Sequence, residues 1–94
     1  MKKNNEYPSL NFPAGTVLIK ESEMSRKMFI IQKGKVRVYK HYLGQRVTLA
    51  VLGEGEIFGE LSFFDAEPRS ASVEALTDLT AVVIDGDKAT QDIA

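Results

Sequence analysis

Residues 55–71 read GEIFGELSFFDAEPRSA and interrupt a chain that otherwise has the pattern of short β-strands. The stretch carries acidic residues among glycines and apolar residues, and near its end Arg69 directly follows Pro68. On both sides of it, short runs rich in β-branched residues alternate with turn signals. A β-framework that is interrupted once, at a cluster of this kind, indicates a scaffold that presents one binding loop.

The rest of the sequence predicts short strands separated by turns. Val36 and Val38 alternate with polar neighbours, which is typical of a half-exposed antiparallel strand. We expect Lys35, Arg37 and Tyr39 on its outer face. Short strands at regular spacing favour an antiparallel barrel, sandwich or β-roll. The predicted strands are Thr16–Lys20, Met28–Gln32, Lys35–Lys40, Arg46–Leu52, Ser70–Ala75 and Leu79–Ile84.

Composition excludes several classes of function. The 94 residues make one domain, and a net charge of −1 at pH 7 leaves no basic excess for binding the backbone of a nucleic acid. The chain has no cysteine, so it has no disulfide, thiolate nucleophile or zinc–thiolate site. Its one histidine, His41, cannot build the multi-histidine metal site of a cupin-type enzyme. No apolar run is long enough to span a membrane, so we expect a cytoplasmic protein.

Two residues of the interrupting stretch have the chemistry of a ligand site. A short helical turn predicted at Gly59–Phe64 would leave free N–H groups at its start, and such groups bind phosphate. The ionised carboxylate of Glu60 can only accept hydrogen bonds, so it suits a sugar hydroxyl, which can donate one. Arg69 is pinned by Pro68 next to an apolar strand, and a partly desolvated guanidinium needs an anion. The combination suits a sugar–phosphate ligand with one negative charge.

Simpler interpretations stand beside this one. Glu60 alone could be a carboxylate that stabilises a helix start. Arg69 alone is more typical of a surface arginine paired with Glu67 or Asp65, a contact of little energy. The aromatic residues Phe58, Phe63 and Phe64 are more typical of a core than of a ligand platform.

Phe58–Leu61, followed after a short gap by Pro68–Ala71, resembles the phosphate-binding cassette of cyclic nucleotide-binding domains. These domains include the bacterial catabolite activator type and the regulatory subunits of cyclic-nucleotide-dependent kinases. The resemblance extends from about Phe12 to Asp85. It implies a mainly β fold, an antiparallel double-stranded β-helix (jelly roll or β-roll), with a short cassette helix and a truncated C-terminal helix. We expect a single domain over residues 1–94, with a mobile arm at 1–9, the β-roll at 10–85 and the start of the C-terminal helix at 87–94.

The resemblance also implies a role for individual residues. Glu60 corresponds to the carboxylate that binds the ribose 2′-hydroxyl, and Arg69 to the arginine that pairs with the cyclic phosphate. Ser70 matches a position that contacts phosphate, or the guanine amino group in relatives selective for cyclic GMP. One departure is Ser22, which stands where the family commonly has a glycine. The predicted ligand-binding residues are Phe58, Gly59, Glu60, Leu61, Arg69, Ser70 and Ala71, with backbone amides of Gly59, Leu61 and Ala71 lining the phosphate pocket.

The implied function is a non-enzymatic sensor that binds a cyclic nucleotide, with cyclic AMP favoured over cyclic GMP. It needs no cofactor and no metal. A neighbouring domain or partner would supply the output, and a homodimer is possible; no nucleic acid and no membrane contact is expected through this chain. Two alternatives remain open: a degenerate β-roll that serves protein–protein association, and the ligand-sensing half of a transcription regulator.

Overall fold

The computed structural model of the protein describes residues 7–60 and 67–87. Within these ranges eight strands form two four-stranded antiparallel sheets, which confirms the prediction of a mainly β roll. The strands are β1 (Ser9–Phe12), β2 (Val17–Ile19), β3 (Lys27–Lys33), β4 (Val36–Tyr42), β5 (Gln45–Leu52), β6 (Ile57–Phe58), β7 (Ser72–Ala75) and β8 (Leu79–Asp85).

The two sheets have interleaved strand orders. The first sheet runs β1-β8-β3-β6 and the second runs β2-β7-β4-β5. Only β4 and β5 are joined as a direct hairpin, and its register shifts between Val38 and Tyr39 where β5 carries a bulge. The chain therefore crosses repeatedly between sheets, which is the topology of a roll rather than of a simple meander.

Two strands were not predicted from the sequence, and each has a physical reason. β1 mixes polar and apolar residues after Pro8, and it is held by pairing with β8, from Ser9 opposite Val82 to Phe12 opposite Leu79. Because β8 is distant from β1 in the sequence, no local pattern predicts that β1 is a strand. β6 has two residues, too few for any alternation to be visible. The other strands agree with their predicted positions to within about two residues, a usual uncertainty for element ends.

The core lies between the two sheets and joins them. Phe29 of β3 stacks on Phe58 of β6 with ring centroids 4.7 Å apart, and Phe12 of β1 meets Phe29 edge-on at 6.4 Å. Burying each large apolar side chain contributes about 1.5–3 kcal/mol, so this contact fixes β6 and the residue that follows it. The buried cluster comprises Ile19, Phe29, Ile31, Val36, Phe58, Val73, Ala75, Leu79 and Ala81.

Tyr39 departs from the expected half-exposed face of β4. It is only 3% exposed, because the guanidinium groups of Arg37 and Arg46 lie 5.3 and 4.6 Å from its ring centroid. Both arginines also donate to one carboxylate oxygen of Glu74, at 2.9 and 3.4 Å. The outer face thus carries a small polar layer that covers an aromatic ring.

The predicted cassette helix and C-terminal helix fall largely on residues 61–66 and 88–94, which lie outside the described ranges. Most of the arm predicted at residues 1–9 does so too, although Ser9 is paired in β1. In residues 7–60 and 67–87, no helix has the length and apolar character needed to cross a membrane.

Candidate ligand-binding site

A pocket of about 170 Å³ lies where the end of β6 faces the inner side of the second sheet. Its apolar wall comes from Ile19 of β2, Val38 of β4 and Val73 of β7. The remaining lining residues come from the stretch that interrupts the β-pattern. The structure thus brings together most of the sequence-predicted site residues, namely Phe58, Gly59, Arg69, Ser70 and Ala71.

Arg69 is the charged group of this pocket, and it is 5% exposed. Its Nη1 donates to the carbonyl oxygen of Gly59 at 2.9 Å. Its Nε and Nη2 both donate to the hydroxyl of Ser25, at 3.2 and 2.9 Å, and Nη2 also donates to the carbonyl oxygen of Lys27. The interpretation of Arg69 as a surface arginine is therefore wrong.

No described carboxylate accepts a hydrogen bond from the guanidinium of Arg69. Among the described residues, its guanidinium hydrogen bonds go to one hydroxyl and two carbonyl oxygens. Burial lowers the pKa of Arg69, while the nearby carboxylate of Glu23 raises it and partly opposes that shift. Arginine stays protonated in proteins, so the site keeps its positive charge. A buried cation with neutral partners favours an anionic ligand, since a buried charge requires a counter-charge.

Gly59 is required by the geometry around Arg69. Its φ of +84° is a conformation that residues with a side chain rarely adopt. A Cβ built at Gly59 would lie 2.8 Å from the carbonyl oxygen of Lys27 and 3.1 Å from both Arg69 Nη1 and Ile19 Cδ1. The absence of a side chain at this position therefore allows β3, β2 and the arginine to meet in one place.

The other predicted residues are placed differently. Glu60 directly follows Gly59, but its side chain is exposed and it does not line the pocket. Ser70 is exposed and lines the pocket next to Arg69, and Ala71 is half-buried. Leu61 lies outside the described residues. Phe58 both lines the pocket and belongs to the core, so the expectation that it is a core residue is confirmed.

The loop before β3 contributes residues that sequence reasoning missed. The N–H of Arg69 donates to the carbonyl of Glu23, and the N–H of Ser22 donates to the carbonyl of Arg69, both at 2.8 Å. Ser22 has a φ of +76°, which explains why a glycine is common there in the resembling family. Ser25 had no signal in the sequence, because a serine in a polar loop has the pattern of a solvated turn residue.

The described side chains offer no metal centre: within residues 7–60 and 67–87, no three His, Cys, Asp or Glu residues are grouped so that they could hold a metal ion. What the pocket does offer is a cation, a hydroxyl and an apolar wall. That set suits a ligand with one anionic group and some apolar surface.

The two-sheet roll, with a pocket that contains a buried arginine, has the architecture of a domain that binds an anionic ligand. The comparison with family models agrees with this class. Residues 9–93 match the family model of the cyclic nucleotide-binding domain. The chain belongs to this family.

Named relatives share the domain but are longer. The cyclic AMP receptor protein of Thermus thermophilus is 40% identical over 68 residues, which cover 71% of this chain and 32% of that protein. The cyclic AMP-bound EAL enzyme Bd1971 superposes with a TM-score of 0.82 at 31% identity, covering 92% of this chain and 23% of the enzyme. The regulatory domain of Toxoplasma gondii PKA, solved with cyclic AMP, has a TM-score of 0.85 at 26% identity over 90% of this chain and 33% of that one. The chain thus spans about a third of the length of this receptor protein and of the CRP-like regulator of Mycobacterium tuberculosis, which it also matches.

The matched family is regulatory and not catalytic, and its members here include receptor-type regulators and kinase regulatory subunits. The likeness to the EAL enzyme concerns less than a quarter of that protein.

Proposed function

We propose that this protein is a sensor module that binds a cyclic nucleotide through the pocket at Arg69. The observation that carries the proposal is the buried guanidinium of Arg69, which lines a pocket beside Gly59 and Ser70 and whose hydrogen bonds to described residues go to neutral oxygens. A cyclic phosphate carries one negative charge, which matches the positive charge of this guanidinium.

The ligand would be held at its phosphate and at its ribose. The phosphate would face Arg69 and the backbone amides of Gly59 and Ala71. The ribose 2′-hydroxyl would donate to Glu60, whose exposed side chain next to Gly59 is free to turn toward a ligand above the pocket. Phe58 would contact the ligand as part of the pocket wall. The role of Leu61 as a further amide donor rests on the resemblance of the cassette.

The base would lie mainly outside the described pocket. The volume of the pocket, about 170 Å³, is below the roughly 300–1,000 Å³ common for small-molecule sites. The pocket therefore has room for the sugar phosphate rather than for a whole nucleotide. We favour cyclic AMP over cyclic GMP, because one relative above is named a cyclic AMP receptor protein and both structures above were solved with cyclic AMP. The same EAL enzyme is also solved with cyclic GMP, and the Ser70 hydroxyl could contact either a phosphate or a guanine amino group.

We further propose that the output lies in a partner, either an effector domain or a second copy, and that the module acts in the cytoplasm without catalysing a reaction. The near-neutral charge of the chain offers no electrostatic footprint for a nucleic acid. A transcription regulator that used this module would therefore contact DNA through other residues.

The alternative of a degenerate roll, kept only for protein association, predicts that Arg69 closes onto an internal carboxylate. The hydrogen bonds of Arg69 to described residues go instead to Ser25, Lys27 and Gly59. This favours the sensor proposal.

Thermal melting with cyclic AMP and cyclic GMP tests the proposal, with 5′-AMP as the non-cyclic control. A ligand at a hundred times its Kd adds about 2.7 kcal/mol of stability, which raises Tm by roughly 10–20 °C for a domain of this size. The expected result is a large shift with a cyclic nucleotide and a smaller one with 5′-AMP. No shift with either cyclic nucleotide at millimolar concentration would refute the sensor function.

A further inference from the structure

The loop between β2 and β3 surrounds Arg69 on several sides. Its backbone pairs with the backbone of Arg69 through Ser22 and Glu23, each at 2.8 Å. The same loop supplies the Ser25 hydroxyl, and Lys27, the first residue of β3, supplies a carbonyl oxygen; both accept from the guanidinium. These partners precede Arg69 by more than 40 residues, so the arginine is held by the fold and not by its own segment.

The hydroxyl of Ser25 makes the most specific of these contacts. It accepts from both Nε and Nη2, which form one edge of the guanidinium, at 3.2 and 2.9 Å. A planar guanidinium held along one edge cannot rotate about its Cδ–Nε bond without losing one of the two hydrogen bonds. Nη1, which lies in the same plane but outside this edge, is then directed to the carbonyl of Gly59 in the pocket wall.

The chemistry of a hydroxyl matters as much as its position. A carboxylate at this place would neutralise the guanidinium and compete with an anionic ligand for it. A hydroxyl orients the group while leaving its positive charge available. Ser25 is half-buried, so solvent does not readily replace it as the acceptor.

We propose that Ser25 is a positioning residue that sets the affinity of the pocket for an anionic ligand by fixing the guanidinium of Arg69. This inference deepens the proposed function and rests on it. It predicts that affinity depends on the hydroxyl of Ser25, although this side chain is not among those that line the pocket.

The test compares Ser25→Ala, Ser25→Thr and a control, Ser9→Ala. Ser9 also loses a side-chain hydrogen bond, to Gln32, but it lies on β1 and does not line the pocket. Binding of cyclic AMP is measured by calorimetry at 10 °C, with folding of each variant verified by circular dichroism at the same temperature. Because each protein is then fully folded, a change in stability alone does not alter Kd.

We expect Ser25→Ala to raise Kd about tenfold, the order of effect for losing a hydrogen bond to a charged group. Ser25→Thr keeps a hydroxyl and should stay within about threefold of the parent, as Ser9→Ala should within about twofold. Equal affinity of Ser25→Ala and the parent protein would overturn the inference, and so would a threonine variant as weak as the alanine variant.

A spectroscopic readout separates this inference from the proposed function. In the ligand-free protein, the Arg69 Nε–H should give a ¹⁵N-resolved resonance that exchanges slowly with water, assigned by its loss in Arg69→Lys. In Ser25→Ala the same proton should exchange faster, because its acceptor is gone. If the parent protein binds no cyclic nucleotide, the proposed function fails and the positioning role fails with it, even if this resonance behaves as expected. If the parent binds and the resonance is unchanged by Ser25→Ala, only the positioning role fails.

Discussion

Gly59 and Arg69 are fitted to each other: Nη1 of Arg69 donates to the Gly59 carbonyl at 2.9 Å, and a Cβ on Gly59 would lie 3.1 Å from the same nitrogen. A side chain at this acceptor residue would crowd the arginine that donates to it. This relationship joins the end of β6 to the segment before β7, which are the two parts of the chain that carry the pocket.

Replacing Gly59 with alanine should weaken both the fold and the site. The φ of +84° and the 2.8 Å approach to the Lys27 carbonyl should together cost about 2–4 kcal/mol of unfolding free energy, measured by urea titration. Gly55→Ala is a matched control, because Gly55 has the same φ of +84° but nothing within 4 Å of its Cβ position. It should cost only about 1 kcal/mol, the strain of the backbone alone. Equal costs for the two variants would contradict the close approach at Gly59.

Ser22→Gly should stabilise the protein. Ser22 has a φ of +76°, which costs a residue with a side chain about 1–2 kcal/mol, whereas the extra chain entropy of glycine costs roughly 0.5–1 kcal/mol. The net gain should be about 0.5–1 kcal/mol in unfolding free energy. Ser9→Gly, in a strand, should have the opposite sign, because it brings the entropy cost and loses the hydrogen bond to Gln32 without relieving any backbone strain. A loss of stability in Ser22→Gly would count against the left-handed conformation of this loop.

Glu74→Gln should destabilise the outer face of the second sheet. Glu74 is the common acceptor of Arg37 and Arg46, and its side chain is 20% exposed. Removing its charge leaves two guanidinium groups close together over Tyr39, so we expect a cost of about 1–2 kcal/mol. Arg46→Ala should cost less than about 1 kcal/mol, since Arg46 is 48% exposed and its contact is longer. A larger cost for Arg46→Ala than for Glu74→Gln, in the same urea titrations, would show that the carboxylate is not the centre of this cluster.

The sequence predicted those parts of the fold that have a local signature. The alternation around Val36 and Val38 predicted β4 correctly. For Arg69 the sequence left two interpretations open, a partly desolvated arginine and a surface arginine, and its 5% exposure decides for the first. β1 could not be predicted, because its order comes from pairing with β8 at the other end of the chain. The burial of Tyr39 depends on arginines from two strands, which a pattern within β4 cannot reveal.

The sequence predicted residues that line the pocket but not the residue that holds the arginine of the pocket in place. Gly59 and Arg69 were predicted because free N–H groups at a helix start, the carboxylate of Glu60 and one arginine together suit a sugar–phosphate ligand. Ser25 was not, since its meaning depends on a contact 44 residues along the chain. Glu60 was predicted as a pocket residue and is exposed outside the pocket lining, so its contact with a ribose stays a prediction.

The most direct test of the central claim is calorimetric titration of cyclic AMP into the parent protein, Arg69→Ala and Arg46→Ala. Both variants lose one arginine, but Arg46 lies on the outer face of the second sheet and does not line the pocket. We predict that Arg69→Ala weakens binding by about a hundredfold or more, because a buried charge-assisted contact is lost. Arg46→Ala should bind within about twofold of the parent, since a distant exposed charge is screened. Unchanged affinity in a folded Arg69→Ala variant would contradict the assignment of this arginine as the anion receptor.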